Sequence, residues 1–364
     1  MNGRPLAVVG MSGGVDSAVA AALARDAGYE VVGVTLRLWA GEEDPSAHTG
    51  QRRCCSVADL ADARAAADAL GVRHYVLNFE ERFRRDVVDH FVAEYAAGRT
   101  PNPCVRCNDS LKFGALLERT RAFGADVLVT GHYARVDLGG ARPRLLRARD
   151  AAKDQSYVLY PVLGRDLRLL RFPLGELTKQ EVRALARRYG LPNADKRDSE
   201  ELCFVPGNDY RAFLQQRLDP CPGTIVDREG HALGRHEGVW GFTVGQRKGL
   251  PAVGERHYVT EIRPDEALVV VDREDGLLAR AAELEEMVFA PGWPRDGACV
   301  EARPRYRAAP SPATLDLGPD GAVRVRFDLP QRALAPGQAL VCYDGDELVG
   351  GGTIARVERG CGCA

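Results

Sequence analysis

An apolar run, Leu6-Ala7-Val8-Val9-Gly10, passes through Met11-Ser12-Gly13-Gly14-Val15-Asp16-Ser17 into an alanine-rich stretch that ends at Asp26. Strand, glycine-serine turn and helix in immediate succession commit the start of the chain to an α/β unit. The turn has the make-up of a phosphate loop. Its glycines let backbone N–H groups close round an anion, the serine hydroxyls add donors, and the following helix presents its positive end to the same point. The lysine of the pattern G-x-x-x-x-G-K-[ST] is missing. Asp16 at that position suits a pyrophosphate leaving group chelated through Mg²⁺ better than a γ-phosphate being transferred, so the reaction class expected is adenylation by ATP.

Strand and helix periods continue to alternate: Val31 to Leu38 with Val57 to Leu70, His74 to Asn78 with Phe83 to Ala97, then a helix Leu111 to Phe123 before the strand Val127 to Thr130. The fold class expected is a doubly wound parallel α/β domain. Its ligand should lie beyond the carboxyl ends of the strands, where Ser12 to Ser17, Leu36 and Thr130-Gly131-His132 converge. Thr178 and Glu181 form a capping box that opens a helix, and Gly190 with Pro192 stops it. After about Pro206 short β-rich runs replace the alternation: Gly223 to Val226, Val239 to Val244, His257 to Ile262 and Ala267 to Val271. Val300 to Arg307, Ala322 to Phe327, Ala339 to Tyr343 and Glu347 to Ile354 then read as strands of a barrel or sandwich. The division expected is 1–205 for the nucleotide domain with a helical appendage, 206–280 for a small β-rich domain and 281–364 for a β-barrel.

Only five of the 49 basic residues are lysine: Lys112, Lys153, Lys179, Lys196 and Lys248. An ammonium is a compact point charge that a planar guanidinium cannot replace in a tight site, so lysine in an arginine-using chain hints at chemical need. Four of the five lie in L-K-F-G, K-D-Q-S-Y, D-K-R-D-S-E-E-L-C-F and G-Q-R-K-G-L; Lys179, opening a surface-looking helix, is read as incidental. A net charge of −2 excludes wholesale coating of nucleic acid but allows a local basic groove. The chain enters its first strand with no charged-then-apolar leader and has no run of membrane-spanning length, so a cytoplasmic protein with no membrane partner is expected.

Ten cysteines in such a chain read as catalytic, metal-binding or buried thiols rather than a disulfide framework. Thr100-Pro101-Asn102-Pro103-Cys104-Val105-Arg106-Cys107-Asn108 places a C-x-x-C pair on a proline-stiffened turn, and Cys203 follows in Glu201-Leu202-Cys203-Phe204. Buried apolar cysteines, a structural zinc site and sulfur-transfer chemistry are the competing readings; thiolates on exposed mobile loops favour the last. Cys54-Cys55 and the terminal Cys361 and Cys363 read as incidental.

S-G-G-V-D-S resembles the PP-loop ATPases, which activate a carbonyl or carboxyl oxygen as an AMP ester. GMSGGVDS, TPNPCVRCN, TGHYAR, KDQSYVLY, ELCFVPG and FTVGQRKGL occur in the order seen in the bacterial tRNA-specific 2-thiouridylases, and the match spans nearly the whole chain. The resemblance implies a PP-loop domain, a central domain and a C-terminal β-barrel. The implied activity uses ATP to activate C2 of the wobble uridine in tRNA and replaces its oxygen with sulfur. It implies ATP binding by Gly10 to Ser17, Leu36 and Gly131, and a flipped-out base facing Asn102, Pro103 and Cys104. Cys107 would be the nucleophile and Cys203 the persulfide carrier, closing a transient disulfide as sulfide leaves. Lys153, Asp154, Gln155, Arg305 and Tyr306 would touch the anticodon arm. Some relatives have aspartate at Cys104; with a thiol there, Cys104, Cys107 and Cys203 could instead hold a [4Fe–4S] cluster. A sulfur-carrier protein or cysteine desulfurase is the implied donor, and a monomer is expected. Arg303, Arg305 and Arg307 alternate as one face of a strand, and Arg142, Arg144, Arg147 and Arg149 lie on an expected hairpin that could line the RNA. Two other readings stay open: a different adenylating ligase of the same superfamily, and a non-catalytic, metal-stabilised RNA-binding protein.

Overall fold

The computed structural model describes residues 3–38, 57–197, 202–252 and 254–359. Cys54, Cys55, Cys361, Cys363 and Glu201 lie outside them. The chain divides into two units. One comprises residues 1–88, 104–208 and 346–348; the other comprises 89–103, 209–345 and 349–364.

In the first unit, β1 (Leu6–Gly10), β2 (Glu30–Arg37), β3 (Arg73–Asn78), β4 (Val127–Thr130) and β7 (Leu170–Arg171) form a parallel sheet in the order β3-β2-β1-β4-β7. The order reverses between β1 and β4, which is where such a sheet opens a crevice. Helix α1 (Val15–Asp26) follows β1, and α2 (Val57–Leu70) precedes β3. Ala18, Ala20, Ala21, Ala22 and Ala24 of α1 are buried with Ala63, Ala66 and Ala67 of α2 in one core. Side chains this small let α1 lie close to the sheet while Val182 and Ala186 of the helix Lys179–Arg188 pack in the same cluster. A hairpin, β5 (Arg135–Asp137) with β6 (Arg144–Leu146), lies where the basic stretch predicts one.

The second unit holds two β structures. β8 (Gly223–Val226), β9 (Ala232–His236), β10 (Tyr258–Arg263) and β11 (Leu268–Asp272) make a sheet ordered β10-β11-β8-β9 round Ile225, Val259, Val269 and Val271. β12 (Leu278–Phe289), β13 (Ala298–Arg303), β14 (Ser311–Leu317), β15 (Val323–Arg332), β16 (Ala339–Asp344) and β17 (Glu347–Glu358) run β12-β15-β14-β13-β16-β17, and β12 pairs with β17 to close a barrel. Register shifts along β12 bend it enough to pair on both sides.

Two expected strands are corrected. Val239 to Val244 is not a strand: Val239–Gly241 is a 3₁₀ turn, because the Trp240 indole folds back onto Gly238, where its Nε1 lies 2.1 Å from the position a Cβ would take. The strand expected through Arg307 ends at Arg303. The helices expected at Phe83 to Ala97 and Leu111 to Phe123 are interrupted by π-helical segments, Arg84–Asp89 and Asn108–Ala115.

Candidate active site

The phosphate loop leaves β1 at Gly10, which is paired with Val34 of β2 and Thr130 of β4, so the turn emerges in the β1/β4 crevice. Gly13 has φ +76°, and a Cβ there would lie 2.3 Å from the Asp59 carbonyl oxygen, so only glycine fits. Gly131 closes the other wall: a Cβ on it would meet the Ser17 nitrogen at 2.7 Å. Leu36 is buried near the carboxyl end of β2. Gly14 caps α1 without a side-chain bond, which leaves the first-turn N–H groups with no partner inside the helix.

The serines divide their labour. The Ser17 hydroxyl donates to the Gly14 carbonyl at 3.0 Å and accepts from the Ser12 N–H at 3.1 Å, so its single proton braces the loop rather than serving an anion. Ser12 is exposed, with its hydroxyl donating only a long 3.4 Å bond to Ser17 Oγ, and is the hydroxyl placed to reach one.

Two lysines complete the loop. The Lys179 ammonium sits 2.7 and 2.8 Å from the two Asp16 carboxylate oxygens, and the Tyr133 hydroxyl donates to Asp16 at 2.9 Å. Lys179 is therefore not incidental; it supplies the cation that the loop sequence lacks, from a helix fixed by the Thr178–Glu181 capping box. Asp16 is correspondingly no open metal ligand: the Lys179 ammonium stands where Mg²⁺ was expected. Lys196 donates to the Gly13 carbonyl at 3.1 Å and to Asp59 and Asp62, and Asn193 donates to the same Gly13 oxygen at 3.1 Å. Burial works against the Lys196 charge, but the hydrogen bonds to Asp59 and Asp62 outweigh it and hold its pKa above the ordinary value.

His132, beside Gly131, is buried among Phe113 and Phe172 and shares a 2.8 Å hydrogen bond with the Thr130 hydroxyl. Burial, then the charge of Lys112, pushes its pKa well below the ordinary histidine value, and burial, then the charge of Arg64, lowers that of His74. Both rings fold neutral, so the unfolded chain takes up their protons first. Their contribution to stability should be level above about pH 6.5 and fall below it, by up to about 1.4 kcal/mol per pH unit for the fully buried His132 and by less for the half-buried His74. Denaturant titrations at pH 7, 6 and 5 should show a shallower decline in His132→Asn than in the wild type; parallel profiles would refute this.

Cys104 and Cys107 lie in a helix rather than a loop, whereas Cys203 lies in a turn. Pro103–Cys107 is a helical turn, with Pro103 at its first position, that runs directly into the π-helical segment Asn108–Ala115. Cys104 is exposed, and Cys107 and Cys203 are partly exposed. Asn108 ties the segment down by donating to the Val158 carbonyl at 3.0 Å. Phe204, next to Cys203, packs edge-on against Phe83 at 5.7 Å. Among the described residues these three sulfurs do not form a group within 4.8 Å of one another, the closeness a tetrahedral zinc ion demands. Cys342 is wholly buried in the barrel, which pushes its thiol up to about 12 and makes it inert. In the second unit, Thr100 donates to the Pro336 carbonyl and accepts from Gln338, both at 2.8 Å, which anchors the stretch leading to Asn102 and Pro103.

The residues expected to meet RNA separate into two kinds. Asp154 is buried: it accepts from the Ala148 and Ser156 N–H groups and the Ser156 hydroxyl, so its carboxylate organises the turn instead of touching a ligand. Gln155 accepts from the Tyr133 N–H at 3.0 Å, and Lys153 is half-buried beside them. Arg305 and Tyr306 are exposed on a turn beyond β13, not on a strand. Arg303 folds its guanidinium onto the Tyr306 and Ala308 carbonyls, so the three arginines share no strand face. Arg142, Arg144 and Arg149 pair with Glu347, Asp137 and Glu181, which removes most of the free charge expected on the hairpin.

Family models match residues 6–207 (tRNA methyl transferase HUP domain), 211–273 (tRNA methyl transferase PRC-barrel domain) and 285–354 (aminomethyltransferase beta-barrel domain). The tRNA-specific 2-thiouridylase MnmA of Carboxydothermus hydrogenoformans is 48% identical over 97% of this chain and 98% of its own length. That of Moorella thermoacetica is 48% identical over 97% of this chain and 100% of its own. Among solved structures, a 4-thiouridine synthetase in complex with RNA and ATP aligns over 58% of this chain and 50% of its own, with TM-score 0.39 and 18% identity.

Proposed function

Because this chain belongs to the family of tRNA-specific 2-thiouridylases, we propose that it is a tRNA-uridine 2-sulfurtransferase, which adenylates the C2 oxygen of the wobble uridine with ATP and replaces that oxygen with sulfur. The observation that carries this reading is the phosphate loop, open at the β1/β4 switch point and furnished with the Lys179 ammonium, in the same unit as Cys104, Cys107 and Cys203.

The chemistry follows from leaving-group ability. Oxide cannot leave C2 of uracil, whereas AMP leaves as a stabilised anion, so activation has to precede sulfur attack. The loop N–H groups, Ser12 and Lys179 bind and neutralise the phosphates as the uracil oxygen attacks the α-phosphorus and pyrophosphate departs. Leu36 and Gly131 shape the nucleotide pocket. Asn102, Pro103 and Cys104 receive the flipped base, and a single-stranded anticodon loop surrenders it at least cost.

Sulfur arrives on Cys203 as a persulfide. The Cys107 thiolate attacks the Cys203 Sγ, the S–S bond breaks, and the terminal sulfur leaves as HS⁻ while a Cys107–Cys203 disulfide forms. HS⁻ adds to C2 and AMP departs with the bonding pair. A dithiol reductant returns both cysteines to thiols before the next turnover. The relay needs two cysteines; a [4Fe–4S] cluster would need Cys104 as a third ligand. Lys153, Gln155, Arg305 and Tyr306 hold the anticodon arm, and Asp154 sets the turn that carries the first two.

The reading includes a cytoplasmic monomer supplied by a sulfur-carrier protein or cysteine desulfurase, and a division of the chain near residues 205 and 280. Among the described residues no helix is long and apolar enough to cross a membrane. Incubating the protein with unmodified tRNA, ATP, Mg²⁺ and a persulfide donor should yield 2-thiouridine by nucleoside mass spectrometry, with AMP and pyrophosphate in equal amounts. Pyrophosphate release that is indifferent to tRNA, with no thionucleoside, would overturn the proposal.

A further inference from the structure

The segment Gly245-Gln246-Arg247-Lys248-Gly249 in the second unit is held rigidly from within while its two cations face solvent. Gly245 and Gly249 take left-handed φ values of +88° and +77°. The Gly245 N–H donates to the Val259 carbonyl at 2.7 Å, and the Val259 N–H returns a bond to Gln246 at 2.9 Å. The Gln246 side chain accepts from the Tyr210 hydroxyl at 3.3 Å and donates to the Lys248 carbonyl at 3.0 Å. Arg211, whose guanidinium lies 5.9 Å over the Phe242 ring, approaches that same carbonyl at 3.5 Å and adds a third positive charge.

Arg247 and Lys248 are exposed, and neither side chain makes a hydrogen bond or ion pair with another described residue. Several arginines of this unit do have acidic partners: Arg263 has Glu261, Arg273 has Glu255, Arg326 has Asp316 and Arg332 has Glu274. A fixed loop that presents unneutralised cations, one of them a lysine in a chain that otherwise avoids lysine, is organised to meet a polyanion rather than only to stay dissolved.

We propose that the Gly245–Gly249 loop is a phosphate-backbone contact for the RNA substrate, with Arg247 and Lys248 each engaging a phosphate and Arg211 buttressing them. It rests on the functional reading above and adds an RNA contact in the second unit beyond Arg305 and Tyr306. Contacts of this kind position the substrate without reading its bases.

The test is equilibrium binding of unmodified tRNA to the full-length protein over a range of KCl concentrations. Arg247→Gln/Lys248→Gln should weaken binding about tenfold at low salt. The slope of log K against log[KCl] should become shallower by about 1.4–1.8, as loss of two phosphate contacts requires. The loss should be equal for tRNAs of different anticodon, and the charge-preserving Arg247→Lys/Lys248→Arg protein should keep the wild-type slope. An unchanged affinity and slope in the double glutamine variant overturns the proposal. So does intact tRNA binding with impaired sulfur delivery from a carrier protein, which would assign the loop to an acidic protein partner. Wild-type protein that binds tRNA but never thiolates it would count against the functional reading and leave this contact standing.

Discussion

Replacing Lys179 with methionine should reduce tRNA-dependent pyrophosphate release by about 10²–10³-fold, equivalent to about 3–4 kcal/mol of transition-state stabilisation, with tRNA affinity within a factor of two. The size of the effect has two sources. The variant loses the only ammonium on Asp16 among the described residues, and it leaves the Asp16 carboxylate uncompensated at the mouth of an anion site. Lys179→Arg should not restore the rate. The lysine side chain is only 12% exposed, with its Nζ 5.9 Å from the Tyr133 ring, and a planar fork cannot occupy the place of a point charge there. Tyr133→Phe keeps the ring and the ion pair and removes one hydrogen bond, so it should cost no more than about tenfold. Wild-type pyrophosphate release from Lys179→Met would remove this residue from the adenylation step.

The difference between what the sequence discloses and what it hides is one of range. Short-range rules locate α1 at Val15–Asp26, α2 at Val57–Leu70 and β4 at Val127–Thr130, because apolar period and turn glycines act within a few residues. The capping box of Thr178 and Glu181 is legible for the same reason, since its two halves lie three residues apart. Lys179 is legible as the start of that helix but not as a partner of Asp16, which lies 163 residues earlier and is reached only through the packing of the helix near α1. The π-helical segment after Cys107 likewise escapes a sequence reading: Gly114 lies so near the Asp109 carbonyl that a Cβ would come within 2.8 Å of it. The basic hairpin shows the opposite failure. A run of arginines reads as free charge until the fold brings Asp137, Glu181 and Glu347 against it.

Cys203→Ser should abolish 2-thiouridine formation, lowering it more than about 10³-fold, because a hydroxyl can neither carry a persulfide nor be attacked at sulfur. Pyrophosphate release in a single turnover should survive, since the phosphate loop and Lys179 are untouched. Cys107→Ser should also stop thiolation, but at a later point: Cys203 would load sulfur and retain it, detectable as a 32 Da increase in intact protein mass that a dithiol removes. Cys104→Ser then separates the two forms of sulfur chemistry open to these thiols. A two-cysteine relay leaves this variant with substantial thiolation, because neither the S–S bond that breaks nor the disulfide that forms includes Cys104. A cluster held by three thiolates loses one ligand in the same variant, and thiolation falls together with bound iron and acid-labile sulfide. Undiminished thiolation by Cys203→Ser would refute both, since each route passes through that sulfur.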